Sequence, residues 1–125
     1  MTLRQLRKQA VLDCYYTTLK VMTAKNPKVL IHDVIEAASK KPAPRIYTTA
    51  DVATRNVSLL YRGKSATAFQ EKRAMYNYIK REVDKYLGSK PLKKIVAEII
   101  QRPAPSFFIS PEQFRKIVYN QMKIQ

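Results

Sequence analysis

Apolar side chains recur every three or four residues along most of the chain, which is the spacing of amphipathic α-helices. In the first half, three such stretches follow one another, separated by polar or proline-rich segments. The first has Leu3, Leu6, Ala10, Cys14 and Val21 on one face and Leu12, Tyr15, Leu19 and Met22 on an adjoining face; the second has Leu30, Val34, Ala37 and Ala38; the third has Ala53, Val57 and Leu60. The pattern therefore predicts three helices in this half.

Residues with capping preferences mark the expected ends of these helices. Asn26 and Pro27 are suited to the N-cap and first position of the second helix. Thr49 is suited to the N-cap of the third helix, and Gly63 to its C-terminal end. Residues 42–44 read Pro-Ala-Pro, where a helix is excluded because proline lacks an N–H group and biases its predecessor to extended geometry.

The second half of the chain repeats this order. Its apolar positions are Phe69, Tyr76, Ile79, Val83 and Tyr86 in a helix ending at Gly88, then Leu92, Ile95, Val96 and Ile99, then Phe114, Ile117, Val118 and Met122. Ser110 precedes Pro111 and stands three residues before Gln113, which together predict a capped start for the last helix.

An internal repeat relates the two halves. Residues 42–62, PAPRIYTTADVATRNVSLLYR, align with residues 103–123, PAPSFFISPEQFRKIVYNQMK, and both prolines, the alanine between them and one valine are identical. We therefore predict a mainly α protein with six helices in two three-helix repeats, residues 1–62 and 63–125, which share one core. Each repeat is expected to run helix, helix, Pro-Ala-Pro, extended piece, helix.

The extended pieces are Ile46–Thr48 and Phe107–Ile109. Strands this short are not stable alone, but the two could pair as a small two-stranded β-ribbon. The residues expected to be buried are Val57, Tyr76, Ile95, Ile99, Phe107, Phe108, Phe114 and Val118.

Charge and composition narrow the function classes. The 125 residues contain 24 Lys and Arg against nine Asp and Glu, a net charge of +15. The excess is spread evenly, +7 in residues 1–62 and +8 in residues 63–125. With one cysteine and one histidine, the chain can form neither an internal disulfide nor a four-ligand zinc site. We also expect no secretory signal, no membrane span, no cofactor and no enzymatic activity.

Two short motifs resemble catalytic or nucleotide-binding sites. Gly63-Lys64-Ser65 matches the end of a phosphate-binding loop, but Ser58 stands where that loop needs glycine and a helix precedes it instead of a strand. We interpret it as a helix C-cap. Cys14 and His32 could form a nucleophilic pair, but Cys14 lies on an apolar helix face, where an inert buried thiol is expected.

Basic side chains on the polar faces of the predicted helices indicate a polyanion-binding protein. The residues expected to bind the polyanion are Arg45, Arg55, Arg62, Lys64, Arg73, Lys80, Arg81, Lys93, Lys94, Arg102, Arg115 and Lys116. Tyrosine is enriched at protein interfaces, and we expect Tyr16, Tyr61 and Tyr78 to contact a partner.

The third helix could alternatively read DNA bases. Arg55 and Asn56 are side chains suited to bidentate base contacts, and Thr54, Ser58 and Arg62 are expected to be exposed beside them. However, the long connection before this helix is unlike the three- or four-residue turn of a helix-turn-helix. A solvated polar face is the alternative interpretation.

Residues 42–49, Pro-Ala-Pro-Arg-Ile-Tyr-Thr-Thr, with the helix that follows, resemble a segment of small, basic, uncharacterised proteins of tailed phages and mobile elements of gut Bacteroidetes, including crAss-like phages. The resemblance covers about twenty residues and the near-copy at 103–123. It implies a phage or mobile-element setting. No catalytic residue can be carried over, because the motif has no established activity.

These observations lead to one expected function and one alternative. The first is a non-enzymatic virion accessory protein at the capsid or portal vertex, present in multiple copies, which bridges capsid or portal proteins and neutralises acidic surface or packaged DNA. Its location would be the virion, and the host cytoplasm before assembly. The alternative is a soluble DNA-binding protein, either architectural or regulatory.

Overall fold

A computed structural model of the chain describes residues 1–65 and 67–124, with side chains as far as residue 122. The described residues form six helices: α1 (Leu3–Lys25), α2 (Ile31–Ser39), α3 (Ala50–Tyr61), α4 (Gln70–Asp84), α5 (Leu92–Ile100) and α6 (Pro111–Ile124). The prediction of a mainly helical protein with six helices is confirmed. The described residues contain no β-strand, so the predicted ribbon is not confirmed.

The helices group into two compact units of three. Unit 1 comprises Met1–Ala43 and Pro105–Gln125 and therefore holds α1, α2 and α6. Unit 2 comprises Pro44–Ala104 and holds α3, α4 and α5. Each half of the chain does run helix, helix, Pro-Ala-Pro, helix, but its third helix packs with the first two helices of the other half.

This grouping differs from the expected units 1–62 and 63–125. The physical reason is that apolar spacing identifies the buried face of a helix but not the helix that covers it. The chain leaves unit 1 between Ala43 and Pro44 and returns to it between Ala104 and Pro105. Both transitions fall at the same point of a Pro-Ala-Pro segment, where prolines exclude a continuous helix.

The core of unit 1 is built from one face of each of its helices. Its buried side chains include Val11, Leu12 and Tyr15 from α1, Val34, Ile35 and Ala38 from α2, Phe114 and Val118 from α6, and Phe107 from the segment before α6. The rings of Phe107 and Phe114 meet edge to face, with centroids 5.9 Å apart. This geometry is favoured between aromatic rings, so the pair fixes the approach of α6.

The core of unit 2 includes the segment that leads into α3. Its buried side chains include Ile46, Ala53, Val57, Met75, Tyr76, Ile79, Val83, Ile95, Val96, Ile99 and Ile100. The amide of Ile46 donates a hydrogen bond of 2.9 Å to the carbonyl of Ile100. The predicted core residues are thus buried in the two units, except Phe108, which is half-buried.

Three predicted helix ends are confirmed. The hydroxyls of Thr49 and Ser110 accept hydrogen bonds from the amides of Val52 and Gln113, at 3.2 and 3.1 Å. After α3, Gly63 adopts a positive φ of 74°. Its amide bonds to the Leu60 carbonyl, and the next amide bonds to the Leu59 carbonyl. These two bonds form a Schellman motif, so the Gly-Lys-Ser sequence is a helix C-cap, as interpreted.

The start of α2 differs from the prediction. Asn26 is the C-cap of α1, and its side-chain oxygen accepts a hydrogen bond of 3.1 Å from the amide of Lys28. That turn displaces the start of α2 to Ile31. Leu30, predicted to be buried, is the N-cap and is 57 % exposed.

The α4 helix is shorter than predicted at its C-terminal end. It ends at Asp84, and the chain then turns through Gly88, which has a φ of 87°. Phe69, which precedes the helix, is 67 % exposed, and Tyr86, which follows it, is 44 % exposed. Both were predicted to line the helix. They lie outside it, so the helical spacing does not apply to them.

The segment before α6 is not fully extended. Phe108 has a φ of 55°, in the left-handed region, and its amide donates a hydrogen bond of 2.8 Å to the hydroxyl of Ser106. Serine side chains stabilise such turns. The aligned residue in the first half of the chain is Arg45, which lacks that hydroxyl. This turn is one difference between the two segments predicted to be extended.

Candidate polyanion-binding surfaces

Most of the predicted polyanion-binding residues belong to unit 2. The exposed ones there are Arg55, Arg62, Lys64, Arg73, Arg81, Lys93 and Lys94. They come from α3, the segment after it, α4 and α5. In unit 1, Arg115 and Lys116 are exposed on α6. Exposed cations of this kind can contact phosphates without reading a sequence.

Four of the predicted cations already have an acidic partner. Lys93 Nζ lies 2.6 Å from Asp51 Oδ1. Arg102 Nη2 lies 3.2 Å from Glu82 Oε1, Lys80 Nζ lies 3.5 Å from Asp84 Oδ2, and Arg115 Nη2 lies 3.7 Å from Glu112 Oε1. A polyanion would have to compete with these carboxylates.

Arg45 is also engaged, although not by an acid. Its Nε donates a hydrogen bond of 3.1 Å to the carbonyl of Ile46, and its guanidinium lies 5.7 Å from the ring centroid of Tyr47. These contacts hold the side chain against the segment before α3.

The predicted base-reading face of α3 is only partly exposed. Arg55 and Arg62 are exposed, whereas Thr54, Asn56 and Ser58 are half-buried. The Asn56 amide nitrogen donates a hydrogen bond of 3.0 Å to the carbonyl of Val52, one turn earlier. This bond uses one of the two N–H donors of the amide and holds the side chain along its own helix, which limits its reach toward a base edge.

The three tyrosines predicted at a partner interface differ in their surroundings. Tyr16 is 43 % exposed and packs edge to face on Tyr15. Tyr61 is 40 % exposed, donates its hydroxyl proton to Asp84 and lies under Lys80, whose Nζ is 4.7 Å from the ring centroid. Tyr78 is half-buried. Tyr61 therefore forms a contact between α3 and α4, while part of its side chain remains exposed.

Burial and the contact with Asp84 raise the pKa of the Tyr61 hydroxyl. Burial of the hydroxyl is the largest cause, followed by its hydrogen bond to Asp84 and the charge of that carboxylate, and together they raise the pKa of Tyr61 to about 12. All three effects disfavour the phenolate form.

The geometry does not support a nucleophilic pair of Cys14 and His32, because each side chain has a different partner. The Cys14 thiol lies 3.5 Å from the carbonyl of Ala38, and burial raises its pKa, which disfavours the reactive thiolate. His32 Nε2 instead lies 3.0 Å from Asp33 Oδ1 on the exposed surface of α2. Within residues 1–65 and 67–124, no group of three or more His, Cys, Asp or Glu side chains could hold a metal ion.

Unit 1 also contains a basic groove that the sequence pattern did not predict. It has a volume of about 470 Å³ and lies between α1 and α6. Its lining residues are Arg4, Gln5, Arg7, Lys8, Gln113, Lys116, Ile117 and Asn120. Only Lys116 was predicted. The spacing of Arg4, Arg7 and Lys8 on one helical face was the available signal.

Comparisons of the chain with known protein families, with curated proteins and with solved structures found no match. Of the helices in the described part of the chain, none is both long and apolar enough to span a membrane.

Proposed function

We propose that this chain is a non-enzymatic, polyanion-binding accessory protein of a phage virion. In this role it sits in multiple copies at the capsid or portal vertex, bridges capsid or portal proteins, and neutralises acidic surface or packaged DNA. The phage setting rests on the resemblance of the Pro-Ala-Pro-Arg segment. The polyanion-binding activity rests on the distribution of charge.

The observation that carries the proposal is that each three-helix unit is strongly basic by itself. Unit 1 has 11 basic and four acidic residues, a net charge of +7, and unit 2 has 13 and five, a net charge of +8. Such an excess opposes folding through self-repulsion, and a bound polyanion would relieve it. Two basic units in one chain suit a protein that bridges two acidic surfaces.

We also propose that the two halves of the chain, residues 1–62 and 63–125, arose by duplication of one helix-helix-helix plan. The Pro-Ala-Pro segments, the cap residues Thr49 and Ser110, and the exchange of the third helix occur at matching positions in both halves. Duplication would give the chain two related binding faces.

The salt dependence of DNA binding tests the polyanion activity. If roughly six phosphates are contacted, the log–log slope of affinity against salt should be near −5 for duplex DNA. The variant Arg62→Gln/Arg73→Gln/Arg81→Gln removes three exposed cations of unit 2 and should reduce the magnitude of that slope by about 2 to 3. A slope near zero for the unsubstituted protein would contradict the proposal.

A matched variant shows whether pairing with a carboxylate decides which cations bind. Lys80→Gln/Lys90→Gln/Lys93→Gln removes the same charge from unit 2, but each of these lysines is paired with a carboxylate. We expect it to change the slope less than the Arg62→Gln/Arg73→Gln/Arg81→Gln variant does, because a polyanion must compete with those carboxylates. An equal change would mean that net charge alone determines binding.

The virion role and a soluble DNA-binding role predict different behaviour at physiological salt. As a virion protein, the isolated chain should bind DNA weakly and associate with assembled capsid or portal through apolar and tyrosine contacts. Tight, sequence-selective binding to duplex DNA would instead support a regulator. In that case Arg55→Gln should change the sequence preference, whereas a phosphate contact would weaken all sequences alike.

A further inference from the structure

The groove between α1 and α6 concentrates positive charge more than any predicted site in unit 1. Arg4, Arg7 and Lys8 follow one another at i, i+3 and i+4 along α1, and Lys116 faces the groove from α6. No carboxylate is among the lining residues. The amide side chains of Gln113 and Asn120, one turn before and after Lys116, add neutral hydrogen-bonding groups.

The three cations of α1 lie near its N-terminal end, where the helix dipole disfavours positive charge. The first turn of the helix holds no acidic residue, and the positive end of the helix dipole adds to the potential of the three cations. The helix starts here because Thr2 and Gln5 form a capping box, with reciprocal bonds of 3.1 and 2.8 Å. The cap thus supports the helix start, while the basic charge next to it has no counter-charge in the groove.

Among the cations of the groove, Arg7 is the one with a buried polar atom that has no hydrogen-bond partner in the described structure. Its side chain is half-buried, and its Nε is enclosed without a hydrogen-bond partner in the described structure. Burial lowers the pKa of the Arg7 guanidinium, and the neighbouring charge of Arg4 lowers it further. An anion in the groove would reduce both the desolvation cost and the repulsion.

We propose that this groove is a binding site for a phosphate group. Two arginines and two lysines on opposite walls provide the charge-assisted hydrogen bonds that phosphate oxygens accept. No aromatic side chain lines the groove, so it offers no aromatic ring on which a nucleobase could stack. The recognised chemistry is therefore the phosphate, from a nucleic-acid backbone or a free polyphosphate. The inference rests on the proposed function, because it names the anionic group bound in unit 1.

The test uses two ligands and a pair of charge-matched variants of the full chain. Arg4→Gln/Lys116→Gln removes two exposed cations from the groove, and Lys20→Gln/Lys25→Gln removes two exposed cations from the same unit. Lys20 and Lys25 lie about 24 Å or more from Arg4 along α1. Binding of an oligo-dT strand and of tripolyphosphate is measured at low salt, with thermal unfolding to verify that each variant is folded.

The groove variant should bind oligo-dT at least about tenfold more weakly than the unsubstituted protein, and the control variant less than about twofold more weakly. A similar loss of tripolyphosphate binding would support the proposal and show that free phosphate chains also enter. Loss of oligo-dT binding with no tripolyphosphate binding would support it with the nucleic-acid backbone as the source.

Arg7→Lys provides a second variant that retains the charge. It removes the planar guanidinium, so we expect weaker binding to oligo-dT with an unchanged salt slope. Equal losses in the groove and control variants would overturn the proposed site, while salt-dependent DNA binding by the unsubstituted protein would still support the proposed function. Absence of any salt-dependent binding by that protein would overturn both.

Discussion

At the residue scale, Phe114 was predicted to be buried from its position on α6, and it lies in the core of unit 1. Its side chain is fully buried and meets Phe107 edge to face. We expect Phe114→Ala to lower the free energy of unfolding by about 3–5 kcal/mol, because it removes a buried ring and leaves a cavity. Chemical denaturation measures this loss. Phe69→Ala is the control, since Phe69 is 67 % exposed and should change stability by less than about 0.5 kcal/mol. A loss below 1 kcal/mol for Phe114→Ala would mean that this ring is not a core residue.

Tyr61 provides a residue-scale prediction about pH. Its pKa rises from 10.0 to about 12 in the folded chain, so the folded state holds the phenolic proton more tightly than the unfolded state does. The associated stability is present below pH 10 and is lost as the pH rises through about 12.

Tyrosinate absorbance, compared between the unsubstituted protein and Tyr61→Phe, isolates this transition. We expect Asp84→Asn to lower the pKa of Tyr61, although not fully to its ordinary value, because burial of the hydroxyl remains. Glu71→Gln removes the same charge from the first turn of α4 and should have a smaller effect. An unchanged transition in Asp84→Asn would exclude the carboxylate as a cause.

At the element scale, the exchange of third helices determines which part of the chain can fold alone. Fragment 44–104 contains all three helices of unit 2, and chains of about 60 residues can form a stable domain. We expect circular dichroism to show cooperative thermal unfolding for this fragment.

Fragment 1–62 is the matched control. It contains α1, α2 and α3 but lacks α6, and its α3 lacks the helices α4 and α5 on which it packs. It should be less helical and melt without cooperativity. The reverse result would restore the grouping that the sequence repeat suggested.

At the scale of the whole molecule, the net charge of +15 makes stability depend on the surrounding anions. Screening by salt reduces repulsion within each basic unit, and a polyanion that binds only the folded chain stabilises it further. At a ligand concentration 100 times Kd the gain is about 2.7 kcal/mol, which should raise Tm by several degrees. Tm is measured by thermal unfolding in the presence of duplex DNA and, as a control, in the presence of an equal concentration of added sodium chloride. Equal Tm values in the two solutions would contradict specific stabilisation of the folded state.

The local features of the helices could be predicted because they depend on neighbouring residues. Apolar spacing identified all six helices, and the short-range hydrogen bonds of Thr49, Ser110 and the Gly63 turn were predictable from residue type. Where a prediction failed, another local interaction prevailed. The Asn26 side chain formed a turn that delayed α2, and the Ser106 hydroxyl stabilised a left-handed residue at Phe108.

By itself, the sequence determined the approximate position and the apolar face of each helix, the caps at Thr49, Gly63 and Ser110, and the even distribution of positive charge. Only the tertiary structure decided that α3 packs with α4 and α5 and that α6 packs with α1 and α2. It also decided that Lys93 and Arg102 are paired with carboxylates distant in the sequence, while Arg4, Arg7 and Lys8 meet Lys116 in one groove. The physical reason is that helix formation and capping act within a few residues, whereas partner choice depends on which apolar faces fit together. Charges distant in the sequence come together only after that choice is made.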